Sequence, residues 1–274
     1  MKKTIAFLLL LLSTLSVVAQ KTVTFKVAYK PGTVYNQIMS QTAKNDVSYK
    51  ASEEILGMLE AQGITNPTIT ETKTTTNSLI TTGKLVGNEI PLSMKVSLNN
   101  GTDQKIIPDN TMIYGKVKQD GMPVFDSINA PGMDANLKDI FTKTLQATLS
   151  QILVPEKQVK VGETFTITLP LNIPVGPGMM TITDVATYKL LKVEGSKAFF
   201  DVSHTYTIDS DVNGQEIKGT GFGTGKTTHD LTNNYILHQD MVMSLNMGFD
   251  SNGITLVIKS NTDMSMDCTI TAAK

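Results

Sequence analysis

Apolar and polar residues alternate over most of the chain, a pattern typical of strands that bury one face of a sheet. The pattern begins with Val23, Phe25, Val27 and Tyr29, which are separated by polar residues. Further strands are predicted after the Pro31–Gly32 turn, at 33–47, 67–83, 91–98, 112–124 and 158–169. The stretch 170–178 is dense in proline and glycine and is predicted to be a loop. Long antiparallel strands should therefore dominate the protein.

Two stretches have helical spacing instead. The shorter runs from Ser52 to Gln62, with Ser52 as its cap and Gly63 after its end. The longer runs from Asp134 to Leu153, and its apolar residues recur at three- and four-residue steps. Because they form a single stripe, this helix is predicted to pack on the concave side of the sheet, which would curl around it as a half-barrel.

The turns of the C-terminal part fix its register. Asn213–Gly214 and Asn252–Gly253 are strong two-residue hairpin signals, and a tight loop at 232–234 separates them. Counting from these turns predicts a meander with one buried face. The predicted pairs include His204 with Gly223, Tyr206 with Gly221, Gly225 with Met241, Gly223 with Met243, Gly221 with Leu245, Met247 with Ile258, and Met241 with Met264.

Four glycines occupy alternate positions on the buried side of one strand in this meander. A strand without side chains on one face implies a close approach or a sharp bend. Either the long helix lies against these glycines, or they form the floor of a ligand cavity with flexible methionine walls. The candidate ligand-binding residues are Gly219, Gly221, Gly223, Gly225, Met241, Met243, Met247 and Tyr206.

The first residues predict export. Lys2 and Lys3 precede an apolar run from Ile5 to Leu12, and Val17 and Ala19 suit cleavage before Gln20. Residues 1–19 are therefore interpreted as a signal peptide of a periplasmic or extracellular protein. Residues 20–274 are predicted to form one β-rich domain, and a boundary near 130–132 would divide it into lobes 20–130 and 131–274.

Charge and composition narrow the classes of partner. Without Lys2 and Lys3 the chain has 22 basic and 25 acidic residues, a net charge of −3 with no block of like charge. Neither a nucleic-acid partner nor a membrane-spanning segment is predicted. Cys268 is the single cysteine, so no internal disulfide is expected.

No spacing of residues predicts a recognisable enzyme class. His204, His229 and His238 lie beside no serine or cysteine nucleophile motif, and hydrolytic zinc motifs are missing from the sequence. No cofactor is expected. The register does bring soft ligands together, since Met241, Met243, Met264, Met266 and Cys268 share one side of the sheet, and thioethers suit monovalent copper. Methionines also fill irregular cores, which is the competing interpretation.

Three segments carry a resemblance to known proteins. Lys30–Tyr35, the stretch Pro155–Phe165, and the glycine strand with the Asp230 hairpin resemble a family of exported, β-rich bacterial proteins that has no assigned activity. A curled antiparallel sheet holding a helix is also similar in architecture to the half-barrel of periplasmic lipoprotein carriers. The resemblance implies export and a β-rich fold, and it assigns no functional residue.

The sequence thus predicts an α+β protein: a long antiparallel meander with one main helix and a second, short helix. Its function is predicted to be the binding of an apolar ligand or lipid on the concave face. Two alternatives remain, a structural or protein-interaction component of the cell envelope and a monovalent copper site in the Met/Cys cluster.

Overall fold

The computed structural model describes residues 21–101, 107–118, 121–151, 155–175, 178–212, 215–251 and 253–273. The predicted signal peptide lies outside these residues. Two helices are described, α1 (Glu53–Ala61) and α2 (Ala135–Gln151). The strands are β1 (Thr22–Phe25), β2 (Thr33–Lys50), β3 (Thr68–Thr82), β4 (Glu89–Asn99), β5 (Thr111–Lys118), β6 (Pro123–Asn129), β7 (Lys157–Lys160), β8 (Thr164–Val175), β9 (Gly178–Glu194), β10 (Lys197–Val212), β11 (Gln215–Asp230), β12 (Tyr235–Ser251) and β13 (Ile254–Ala272).

Eleven of these strands form one antiparallel sheet in the order β6-β5-β4-β3-β2-β13-β12-β11-β10-β9-β8. Two meanders, β2–β6 and β8–β13, are joined where β13 pairs with β2 from Thr255↔Lys50 to Ala272↔Thr33. The two predicted lobes therefore share a continuous sheet. The remaining strands, β1 and β7, pair with each other as a separate two-stranded sheet. The expected half-barrel is wrong, because the large sheet is neither closed nor strongly curled.

The predicted register of the C-terminal meander is confirmed. His204 pairs with Gly223, Gly225 with Met241, and Met241 with Met264. The loop between β11 and β12 has four residues rather than the expected three, since Asp230 pairs with Tyr235. A register shift between Thr228 and His229 offsets the extra residue. Residues 213, 214 and 252 of the two predicted turns lie outside the described residues.

Both predicted helices are present. The Ser52 side chain accepts a hydrogen bond from the Ile55 backbone N–H, as a helix cap should. Asp134 Oδ1 likewise accepts from the Asn136 backbone N–H at 2.8 Å at the start of α2. The helix is described as far as Gln151, so its predicted last residues, 152–153, lie outside the described part.

The predicted loop at 170–178 is wrong over most of its length. Strand β8 continues through Pro170 and Pro174 to Val175, and β9 begins at Gly178. Among the described strands, β8 pairs on one side alone, with β9. Proline is tolerated in such an edge strand because the missing N–H can face away from the ladder.

Three apolar clusters lie along one face of the large sheet, and two of them are covered by other elements. The first cluster, around Tyr35, Ile113 and Cys268, packs against Phe141 and Leu145 of α2. The helix is held at the sheet edge by the Phe125 backbone N–H, which donates to Gln146 Oε1 at 2.7 Å. The second cluster is covered by Val23 and Phe25 of β1 and Val159 of β7. The third is described separately below.

The glycines of β11 accommodate the backbone of β12 and not the long helix. A Cβ atom added to Gly225 would lie 2.1 Å from Asp240 O, and one added to Gly221 would lie 2.6 Å from Ser244 O. Since real Cβ atoms do not approach so closely, side chains at these positions would push β12 away. The expectation that α2 lies on the glycines is wrong for its described residues, because Phe141 and Leu145 join the first cluster.

Replacement of Gly225 by alanine should therefore destabilise the protein. We expect a loss of about 1–3 kcal/mol in the free energy of unfolding, because the neighbouring atom is rigid backbone. Gly57→Ala is the matched control: no atom lies within 4 Å of its added Cβ, and alanine favours the α1 helix. Urea titrations of both variants measure the difference, and equal midpoints would contradict the close approach.

His229 lies in the interior, next to Phe25 of β1. The residue is 0% exposed, and its ring centroid lies 4.9 Å from that of Phe25. Neither ring nitrogen has a hydrogen-bond partner among the described residues. Burial lowers the pKa of His229 to about 4, although the neighbouring Asp230 acts in the opposite direction. The imidazole is therefore neutral at pH 7.

Acid should destabilise the fold through this histidine. An unfolded histidine binds a proton below about pH 6.5, whereas folded His229 does so only near pH 4, so stability falls as the pH drops between these values. The contribution is about 3 kcal/mol. His229→Leu should remove this slope in urea titrations from pH 7 to pH 4.

A second histidine supplies the control for that measurement. Hydrogen bonds to Asp267 and Asp240 raise the pKa of His238. Its contribution is therefore present at low pH and lost as the pH rises through its folded pKa, so His238→Gln should change the pH profile in the opposite sense. If wild type and His229→Leu keep the same slope, the assignment to His229 is wrong.

Candidate functional site

The third apolar cluster is built entirely from strands of the large sheet among the described residues. Its buried members are Ile182, Tyr206, Ile208 and Ile217, and its half-buried members are Leu171, Met180, Met243, Leu245, Met247 and Phe249. No residue of α1, β1 or β7 whose side chain is described belongs to it. The half-buried members leave apolar surface at this part of the sheet, where a ligand can bury area.

The register places the candidate residues within this cluster or at its border. Tyr206 lies opposite Gly221, Met243 opposite Gly223, and Met247 opposite Gly219. Met241 is 9% exposed and lies one row further, opposite Gly225. The side chains of Met243 and Leu245 reach over the glycines, since a Cβ on Gly223 would meet Met243 Cγ at 3.2 Å and one on Gly221 would meet Leu245 Cδ2 at 2.4 Å. The glycines thus let flexible β12 side chains approach β10.

Tyr206 connects the two methionines. Its hydroxyl lies 3.1 Å from Met243 Sδ and 3.8 Å from Met241 Sδ, and thioether sulfur is a weak acceptor. Burial, and then the nearby Asp184 and Tyr188, raises the pKa of Tyr206 far above its ordinary value. The phenol therefore keeps its proton and acts as a donor.

A buried histidine–aspartate pair adjoins this tyrosine. His204 Nδ1 lies 3.0 and 3.1 Å from the two carboxylate oxygens of Asp184, and the two side chains are 6% and 9% exposed. The ring of His204 stacks on that of Tyr206, with centroids 5.7 Å apart and planes 6° from parallel. The second ring nitrogen, Nε2, is buried and has no hydrogen-bond partner within the described parts of the chain.

Asp184 is the residue that the sequence reasoning missed. It occupies an inward position of β9 between Ile182 and Ala186, so it interrupts an otherwise apolar alternation. Such an interruption is a usable signal, because a buried carboxylate requires a partner. The partner itself could not be named, since the pairing of β9 with β10 depends on a bulge between Phe199 and Phe200.

The methionine and cysteine residues are divided between two clusters. Cys268 packs in the first cluster, whereas Met243 belongs to the third. Burial raises the pKa of the Cys268 thiol to about 11, and a thiol is a poorer metal ligand than a thiolate. No group of three or more His, Cys, Asp or Glu side chains is placed to hold a metal ion in the described ranges. The copper hypothesis remains a prediction that rests on the methionines.

A groove of about 590 Å³ lies beside the cluster, and unlike the cluster it is lined largely by polar residues. It is lined by Gly219 and Met247 together with polar side chains such as Lys50, Asp209 and Lys218. The polar residues belong to the opposite face of the sheet, because they alternate with the buried positions of their strands. This groove therefore does not extend the apolar surface.

The fold is that of a large antiparallel sheet covered in part by one helix and one two-stranded sheet. A structure with which it compares is that of a candidate exported protein with a YmcC-like fold from Bacteroides fragilis. The match has 11% sequence identity, covers 88% of this chain and 97% of that protein, and gives a TM-score of 0.23. No protein-family description and no curated protein matches the chain. Within the described residues, no helix is both long enough and apolar enough to cross a membrane.

The His204–Asp184 pair should behave as a coupled unit in stability measurements. His204→Leu leaves the Asp184 carboxylate buried without its partner, and we expect a loss of about 3 kcal/mol or more in the free energy of unfolding. The double variant Asp184→Leu/His204→Leu should recover most of that loss, because two apolar side chains replace the whole pair. Urea unfolding of the four proteins in this cycle measures the coupling, and additive effects would show that the pair is not coupled.

Proposed function

We propose that this protein is exported and binds an apolar ligand, such as the acyl chain of a lipid, on the third cluster of its sheet. The observation that supports this most directly is the unequal covering of the apolar face. Helix α2 packs on the first cluster and the β1–β7 sheet on the second, whereas six of the ten apolar residues of the third cluster are only half-buried. A ligand would complete the burial there.

The composition of the cluster supports a ligand that is long, apolar and variable in shape. Met180, Met243 and Met247 are unbranched and flexible, so they can pack around different acyl chains. Leu245 and Phe249 supply additional apolar area on the same strand. A surface of this kind discriminates weakly between greasy molecules, which suits a carrier better than an enzyme. The proposed role is therefore binding without catalysis.

Native mass spectrometry tests this proposal. The chain is expressed with its own leader, purified from the exported fraction without detergent, and sprayed under conditions that preserve complexes. We expect mass increments that correspond to a bound lipid. Met247→Lys should lose them, because an ammonium group on the cluster disfavours an apolar guest. Circular dichroism and the unfolding midpoint verify that the variant is folded.

The control for this experiment lies on the same strand. Val242→Lys places the same charge on the opposite face, where Val242 is 58% exposed, and should retain the lipid. Wild-type protein that leaves the exported fraction without lipid, and takes up none from added vesicles, would overturn the proposal. A protein that captures a second polypeptide on the third cluster would favour the envelope-interaction alternative instead.

A further inference from the structure

Two polar atoms of opposite hydrogen-bonding character lie at the third cluster, one on its member Tyr206 and one on the adjoining His204. The Tyr206 hydroxyl is a donor that contacts sulfur, 3.1 Å away at Met243. His204 Nε2 belongs to a side chain that is 6% exposed, and it has no partner among the residues that the structure describes. The two rings that carry these atoms are stacked, so the atoms belong to neighbouring side chains of β10. Buried polar atoms in native proteins are normally paired, so the unpaired Nε2 next to the proposed ligand surface calls for an explanation.

Asp184 determines whether His204 Nε2 donates or accepts a hydrogen bond. Both carboxylate oxygens of Asp184 lie within 3.1 Å of His204 Nδ1, and an ionised carboxylate accepts hydrogen bonds without donating. Nδ1 must therefore carry the ring proton in the neutral imidazole. Nε2 then has a lone pair that accepts a hydrogen bond. The aspartate fixes both the orientation of the ring and its tautomer.

A donor on one ring and an acceptor on the ring stacked with it are complementary to a carboxylic acid. The carbonyl oxygen of the acid can accept from the Tyr206 hydroxyl, and the acid O–H can donate to His204 Nε2. If the proton moves to Nε2, the imidazolium donates to the resulting carboxylate, so one hydrogen bond forms in either arrangement. An ester offers the carbonyl but has no proton to donate, and it would leave Nε2 unpaired.

Met243 contacts the Tyr206 hydroxyl and lies in the same row of the sheet as His204. Its side chain is half-buried, lies over Gly223 and provides the weak acceptor for Tyr206. An unbranched thioether has three rotatable bonds, and the hydrogen bond that it accepts is easily replaced by one to a ligand oxygen. Rotation of Met243 would therefore open the head-group position and place the methionine along the acyl chain.

On this basis we propose that the ligand is a long-chain carboxylic acid, whose head group is bound by Tyr206 Oη and His204 Nε2 and whose chain lies on the third cluster. This inference rests on the proposed apolar-ligand function and adds the chemical class of the ligand. Asp184 is a positioning residue, since it acts through the histidine ring.

Palmitic acid and methyl palmitate are the probes that distinguish recognition of the carboxylic head group from binding of the apolar chain alone. Delipidated protein is titrated with each, and dissociation constants are measured by displacement of a fluorescent fatty-acid analogue. Because a net hydrogen bond to a neutral group corresponds to roughly a fivefold change in affinity, palmitic acid should bind about fivefold more tightly than the methyl ester. The double variant Asp184→Leu/His204→Leu should bind both equally.

Tyr206→Phe should weaken the binding of both probes by about the same factor, since acid and ester share the carbonyl that accepts from the Tyr206 hydroxyl. Tyr114→Phe is the matched control, because Tyr114 is 41% exposed and lies on β5 away from the cluster, and it should change neither constant. In ¹⁵N NMR spectra of wild-type protein, the Nε2 resonance of His204 should shift on addition of palmitic acid and stay unchanged with the ester. This readout does not depend on the stability of any variant.

The outcomes distinguish the two proposals. Equal affinity for acid and ester in wild type, or an unchanged Nε2 resonance with bound palmitic acid, overturns the head-group inference and leaves the apolar-ligand function standing. Selectivity that persists in the double variant also overturns it. Binding of neither probe overturns the proposed function together with the inference.

Discussion

A wide sheet with one apolar face must cover that face, and this requirement shapes the whole structure. Eleven strands form a continuous antiparallel ladder, so the nine inner strands pair with a neighbour on both sides. Strand pairing does not bury the apolar side chains completely. Their outer surface is removed from water only by contact with something above the sheet. Helix α2 and the β1–β7 pair supply that contact for two clusters. The third cluster gives the protein its candidate site.

The chain segment before β2 contributes to both covered regions. Phe25 lies in the second cluster, and Val27 and Tyr29 pack on the first. Between them, the Ala28 backbone N–H donates to Asn234 O at 2.9 Å, which ties the segment to the loop before β12. The Tyr235 hydroxyl then donates to Tyr29 at the border of the first cluster. One extended segment thus ties the two covered regions together.

Alternation and turn chemistry explain why so much of the meander could be predicted. With a side-chain period of two, a one-residue slip in β10–β13 would expose a whole apolar set, so Tyr206, Met243 and Met264 could be placed on one face from the sequence. The glycines were predicted to mark a close approach or a sharp bend. The structure shows a close approach, and the neighbour is the β12 backbone, whereas the long helix was one of the two expected occupants. A row of glycines can accommodate either a packed helix or the backbone of an adjacent strand. Which of the two lies against the glycines depends on the packing of the folded protein.

The sequence by itself determined the strand-rich class, the two helices, the register of β10–β13 and the set of residues on the apolar face. These features follow from local periodicity, helix caps and turn residues, which act over a few positions. Only the tertiary structure decided that β13 pairs with β2, that α2 packs on the first cluster, and that Asp184 meets His204 next to Tyr206. Each of these depends on contacts between residues that are distant along the chain or on a bulge that shifts a register by one. Because many alternative partners satisfy the same local pattern, such contacts are decided by the packing of the whole sheet.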